Sequence, residues 1–392
     1  MSTARVSRWS RRSVAVGVCF LLAWQAVELA GVLPARAIVL GLLGFVWHVV
    51  FGKAYALVPS YFERSLEPTW PPAVQLPLTA LGAVAVAAAG HPSVPAVVDT
   101  VGAAAWAAGV VVFAATLAWT VRTNPTGAET ATGESNAHRR GLDRFANAFV
   151  PVAVAYLGLG SYELLAATTP LPALFGRGLP ATLHLLGAGG AALLLFAIGF
   201  RLLPRFLVAS PPKRLAFVVL PAGALGPALL AWSLGSGAVF RLGAVVETVA
   251  VVGFAVAFGA LFRRSDRRRV GFYGVAAGVT SGVLAVLVGL HFAFSGITPP
   301  LVVAHRRLNV LGLLGLSVVG TTYQFYPPTV GNVPGADDRT ALASLALLAG
   351  GLWVEAGGLA AGVARVPTVG RAVSLAGACL FAYLVFGAFS AR

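Results

Sequence analysis

The sequence predicts an all-α integral membrane protein of about twelve transmembrane helices, set as three four-helix repeats around a pseudo-threefold axis. Three observations predict it. Apolar runs long enough to cross a bilayer fill the chain. Basic residues cluster in the breaks between those runs. A glycine, aromatic and proline signature recurs every four runs.

The first observation is compositional. Of 392 residues, 58% are hydrophobic and only 10% charged, and the mean hydropathy is +0.85, whereas soluble domains carry about 25% charged residues. At about 20 apolar residues per span, the length holds about twelve helices and little else. A single polytopic domain over residues 1–392 follows. Spans are read near 13–33, 37–59, 73–90, 96–121, 145–168 and 180–204, then near 215–234, 238–262, 270–295, 300–327, 341–363 and 369–390.

The charge pattern sets the orientation. A net charge of +15 would fit a nucleic-acid partner if the basic residues lined one face. They lie instead in short inter-span clusters, which excludes nucleic acid and makes the lipid bilayer the partner. With the N-terminus inside, about 20 Lys and Arg face the cytoplasm, including Arg5–Arg12, Arg139–Arg144, Lys213–Arg214 and Arg263–Arg269, against about five outside. The expectation is a multi-pass cell-membrane protein with both termini cytoplasmic. The Ala35-Arg36-Ala37 stretch after span 1 resembles a cleavage site, but the apolar run is too long for a signal peptide and contains Glu28, so it is retained as a span. The polar segment 123–142, in the cytoplasmic loop 122–144, is expected to be mobile. Cys19 and Cys379 lie in apolar runs without CxxC spacing and read as packing residues.

The repeat rests on spacing. Span 2 ends Gly52-x-x-Tyr55-x-x-x-Pro59, and span 10 ends Gly320-x-x-Tyr323-x-x-x-Pro327. Span 6 places Phe200 four before Pro204, with Ala197 at the glycine position. In the preceding spans Glu28, Glu163 and His291 stand six, seven and eight residues before Pro34, Pro170 and Pro299. Repeat units of about 13–121, 145–262 and 270–390 follow.

Ionisable groups inside a bilayer are costly, so each is a functional candidate. His48, His184, His291 and His305 are intramembrane; His91 and His138 lie in loops. Neutral imidazole is a metal and haem-iron ligand, and equally an interhelical hydrogen-bonding group. Glu28, Glu163 and His291 are candidates for a proton or ion path, although the two glutamates can instead neutralise Arg306 or Arg307. Glu247 and Glu355 have no evident partner, and Asp99 near a span end can be solvated. No Walker loop, GxSxG or HExxH sequence is present.

The segment His305-Arg306-Arg307-Leu308-Asn309-Val310-Leu311-Gly312, continuing to Gly320, Tyr323 and Pro327, resembles the tenth helix of the haem–copper oxidase catalytic subunit (subunit I) superfamily. Trp47-His48 before Phe51-Gly52 and Pro59 resembles the second helix of that family, and His184-Leu185-Leu186-Gly187 running to Pro204 resembles the sixth. The resemblance covers the architecture of the whole chain but the motifs of three helices. It implies that His48 ligates a low-spin haem, that His305 takes the first position of a His-x-His pair whose second is Arg307, and that His184 takes a copper-ligand position. Span 7 holds no histidine and span 6 no tyrosine, so copper is not expected as a complete site, nor is terminal-oxidase activity. Trp-His followed by Phe-Gly in an early span is also similar to the NnrS-like proteins linked to nitric-oxide stress.

These readings converge on a haem-binding, oxidase-like protein, redox or nitric-oxide related, with cofactor-binding residues His48, His184, His305, Arg306 and Arg307 and metal ligands His48, His184 and His305. The expected cofactor is haem b, and a redox partner protein is implied. Residues 305 and 307 point about 200° apart on a helix, so His305 is expected to face His184, and His48 to face Arg307. Either arginine can pair with haem propionates. The alternatives are a transporter or channel on the same fold, using Glu28, Glu163 and His291, and a non-catalytic assembly subunit.

Overall fold

The computed structural model describes residues 2–33, 36–176 and 178–391. Pro34 and Ala35, invoked above, lie outside the described residues. The long helices are α1 (Ser2–Ala30), α2 (Ala37–Tyr61), α3 (Pro72–Ala88), α4 (Ala96–Val121), α5 (Phe149–Ala166), α6 (Gly178–Leu207), α7 (Lys213–Ser233), α8 (Gly237–Arg264), α9 (Val270–Ser295), α10 (Pro299–Phe325), α11 (Asp338–Ala361) and α12 (Val366–Ser390). Eleven of them are long and apolar enough to cross a membrane, and α3 is a shorter apolar helix. The chain is therefore a multi-pass, all-helical membrane protein, with helix limits within about four residues of those read from the sequence except that α1 begins at Ser2, well before the expected start at 13.

Three helices form the centre. In α2, α6 and α10, 89%, 72% and 67% of the apolar window is buried, against 39–50% for the other eight. Each of the three also carries a π-helical segment, at Leu40–Val46, His184–Ala192 and Leu308–Leu316, and these segments touch one another. Such wide turns are rare and concentrate at functional sites. The most extensive pairings join α3 with α4, α7 with α8 and α11 with α12.

The recurring aromatic residue has the same neighbour each time. Tyr55 meets Phe113 of α4 edge-on at 5.2 Å and 75°, Phe200 meets Phe254 of α8 at 5.8 Å and 78°, and Tyr323 meets Phe381 of α12 at 5.5 Å and 76°. The recurring glycine also has one use. A Cβ on Gly52 would lie 2.8 Å from the Ser10 carbonyl oxygen of α1, and a Cβ on Gly320 would strike the Gly271 carbonyl of α9. Small residues here allow the backbones of adjacent helices to cross closely.

Segment 123–142 differs from the expectation of a mobile loop. Asn124 donates to the carbonyls of Phe62 and Glu129, Arg144 to that of Ala128, and Arg201 to that of Thr130, while Thr132 donates to Asp143. Asp143 in turn pairs with Arg205 at 2.7 Å and Arg201 at 3.7 Å. Polar residues that look like a solvated loop thus satisfy groups at the ends of α2, α5 and α6.

Helix α11 is capped by Asp337, whose carboxylate accepts from the Thr340 backbone N–H at 2.8 Å. That hydrogen bond is the first cause holding the carboxyl below the usual aspartate range. A depressed folded-state pKa contributes stability above the ordinary value and loses it as pH falls through the lowered one. The Thr340 amide resonance should therefore stay constant through the ordinary aspartate range and move only below it. Movement beginning higher would contradict the cap.

Candidate functional site

His184 opens the π-helical segment of α6, and His305 lies just before that of α10. Their rings are stacked, 6.3 Å between centroids and 26° between planes, so the expected approach of His305 to His184 is what the structure has. His184 Nδ1 lies 2.8 Å from the Pro180 carbonyl one turn earlier, and His305 Nδ1 lies 2.9 Å from the Ala285 carbonyl of α9. A carbonyl only accepts, so both Nδ1 atoms carry the proton and a neutral ring keeps its lone pair on Nε2. This backbone bond is the one that orients metal-ligating histidines. Asn309 Nδ2 stands 3.3 Å from His305 Nε2, a long contact that a ligand on that nitrogen would replace. Phe292 meets the His305 ring edge-on at 5.6 Å.

The geometry was tested against one metal shared by both rings. With metal–nitrogen bonds of about 2 Å, imidazoles on opposite sides of one ion have centroids roughly 6 Å apart. The observed 6.3 Å between centroids lies in that range. Among the described residues no group of three or more His, Cys, Asp and Glu converges, and His184 and His305 bring two imidazoles together.

His48 is not brought to this pair. Its Nδ1 donates to the carbonyls of Leu43 and Gly44 at 2.9 and 2.7 Å, and its Nε2 meets the Thr79 hydroxyl at 3.1 Å. Phe20 stacks on the ring at 5.2 Å and Trp106 meets it at 6.5 Å. His48 thus faces α1, α3 and α4, not Arg307 as the sequence led us to expect. The π-helical turn explains the change, because its widened carbonyls at Leu43 and Gly44 hold the ring inward. Both ring nitrogens have protein partners.

Arg307 belongs to another cluster. Its side chain is 1% exposed; Nε bonds Glu355 Oε2 at 2.9 Å and Nη2 bonds Gln25 Oε1 at 2.9 Å. The guanidinium also lies 4.7 Å from the Trp24 ring. Glu355, wholly buried, binds Arg371 through its other oxygen at 2.7 Å, and Arg371 reaches the Glu28 carbonyl. Glu355 therefore has the partners the sequence did not reveal. The signal was an arginine near the start of each of spans 10 and 12, but only the fold brings both to α11. Arg306, half-buried, lies within electrostatic reach of Glu28.

The three residues read as a proton or ion path have separate surroundings among the described residues. Glu28 accepts from the Trp24 indole at 3.1 Å, Glu163 accepts from the Leu174 backbone N–H at 2.7 Å, and His291 is exposed beside Phe292. Asp99 is not simply solvated, because it pairs with Arg36 at 2.7 Å beside a cavity of about 440 Å³ lined by His91, Thr100 and Thr168.

Glu247 is buried against Gly226 of α7, and its Oε2 has no hydrogen-bond partner among the described residues. An unsatisfied buried polar group costs about 1–3 kcal/mol, so Glu247→Met, similar in length and unbranched, should raise the thermal unfolding midpoint in detergent. A lowered midpoint would mean that the carboxyl has a partner in the working protein.

No protein-family model matches the chain, and no curated protein sequence matches it.

Proposed function

We propose that this protein binds one b-type haem between His184 and His305 and serves a redox or nitric-oxide-related role in the cell membrane. The paired rings, each with Nδ1 on a backbone carbonyl and centroids 6.3 Å apart, are the observation that carries this reading. The two imidazoles supply axial donors without burying net charge. Bound haem would supply one-electron chemistry. The chain's own contribution is to orient both rings through Nδ1, with Asn309 the side chain that a ligand on His305 Nε2 would displace. Both termini are placed in the cytoplasm, on the positive-inside bias.

The same reading takes the chain as three four-helix units around a pseudo-threefold axis. Its support is the recurrence every four helices of a central helix with a π-helical segment, and of one edge-on aromatic contact to the fourth helix of each unit. Haem between His184 and His305 then lies at the junction of the second and third units. His48 serves as a packing residue of the first, and Arg307 is committed to Glu355. Arg306 remains the arginine available to a haem propionate.

Titration of the purified full chain with ferric haem tests the reading. Saturation at one haem per chain with a low-spin spectrum is expected. Binding that never saturates, as for partition into detergent, would overturn it.

A further inference from the structure

Two buried donors in the Arg307 cluster have no acceptor among the described residues: Arg307 Nη1 and Gln25 Nε2. They belong to adjoining groups, because Arg307 Nη2 donates to Gln25 Oε1 at 2.9 Å. That bond also fixes the amide orientation, since the flipped amide would set donor against donor. Gln25 is 0% exposed and Arg307 1%.

The charge of the cluster is not balanced. Arg307 and Arg371 share the one carboxylate of Glu355, leaving a surplus of one positive charge. Adding the neighbours Arg306 and Glu28 leaves that surplus unchanged. An unneutralised charge in a buried intramembrane site is costly. A water accepting from both orphan donors would leave the surplus charge unneutralised. A group that only accepts, and carries one negative charge, meets both demands.

We propose that Arg307 and Gln25 form an intramembrane site for one small monovalent inorganic anion, of the halide or nitrite class. The anion accepts from Arg307 Nη1 and Gln25 Nε2 and neutralises the surplus charge. Glu355 and Arg371 are positioning residues: they hold Arg307 by Nε, so that Nη1 stays turned toward the anion. Arg371, 22% exposed at its side chain, marks the side on which the cluster meets its surroundings. The proposal does not rest on the haem reading.

Equilibrium binding of radiolabelled chloride to the full chain, purified in detergent with gluconate as the only other anion, tests it. Wild type should bind chloride saturably, one per chain, displaced by bromide and nitrite but not by sulfate, which is too large and doubly charged. Gln25→Leu removes one donor while leaving the Arg307–Glu355 pair, and should weaken chloride binding at least tenfold. Arg307→Lys, which keeps the charge but loses the fork, should do the same. Glu247→Met should bind as wild type. Absence of saturable binding in wild type, equal displacement by sulfate, or unchanged affinity in a folded Gln25→Leu protein would overturn the proposal.

Discussion

Glu355→Gln is expected to cause a large loss of stability. The carboxylate is wholly buried and accepts from Arg307 and Arg371 through separate oxygens at 2.9 and 2.7 Å. The amide removes the charge and presents one arginine with a donor. Breaking a buried ion pair by removing one partner costs about 3–5 kcal/mol, because the remaining charge stays desolvated. Removing both partners together costs far less, so the double variant Arg307→Met with Glu355→Met should recover most of the loss. Arg371→Met should cost less than Glu355→Gln, since Glu355 keeps its bond to Arg307 and Arg371 is the more exposed of the two arginines. Thermal midpoints in detergent, taken as a double-mutant cycle, measure these differences. A Glu355→Gln protein that unfolds with wild type would show that the triad is not the structural lock described here.

The second large effect concerns the histidine pair. His184→Ala and His305→Ala should each abolish the low-spin haem spectrum or convert it to high spin, because one axial donor is lost while the other stays on its backbone carbonyl. His91→Ala should leave the spectrum unchanged, since that residue lies in an exposed turn. His48→Ala separates the two haem positions that the sequence allowed. With Nε2 on Thr79 and the ring stacked on Phe20, its loss should lower stability and leave the spectrum intact. Loss of haem in His48→Ala with retention in His184→Ala would move the site to α2.

The helices were legible because a bilayer imposes a simple rule, about 20 apolar residues between polar breaks, and this chain obeys it almost throughout. Even the phase of the Gly52 and Gly320 motifs was readable, since close backbone crossings admit only small residues. The approach of His305 to His184 followed from helical angles and from their place in spans 6 and 10. The π-helical turns were not legible: Leu-Gly runs such as residues 40–44 and 311–315 are compatible with either turn. That local widening, which turns His48 inward, defeated the expectation that it faces Arg307. The partners of Glu355 were hidden for another reason. Arg307 and Arg371 lie on other helices, so their meeting depends on the arrangement of α10, α11 and α12, not on spacing within one span. Segment 123–142 misled because Thr, Asn and Gly suit a solvated loop as well as one bonded to helix ends, and only Arg201 and Asp143 in place decide between them.

The visible absorption spectrum of the purified full chain, oxidised and then reduced with dithionite, tests the central claim most directly. A Soret band that sharpens and shifts on reduction, with narrow low-spin bands at longer wavelength and a yield of one haem per chain, is the predicted result. A colourless protein that stays colourless after exposure to haem would contradict it, and His184 and His305 would then be packing residues between α6 and α10, with His305 bonded to α9.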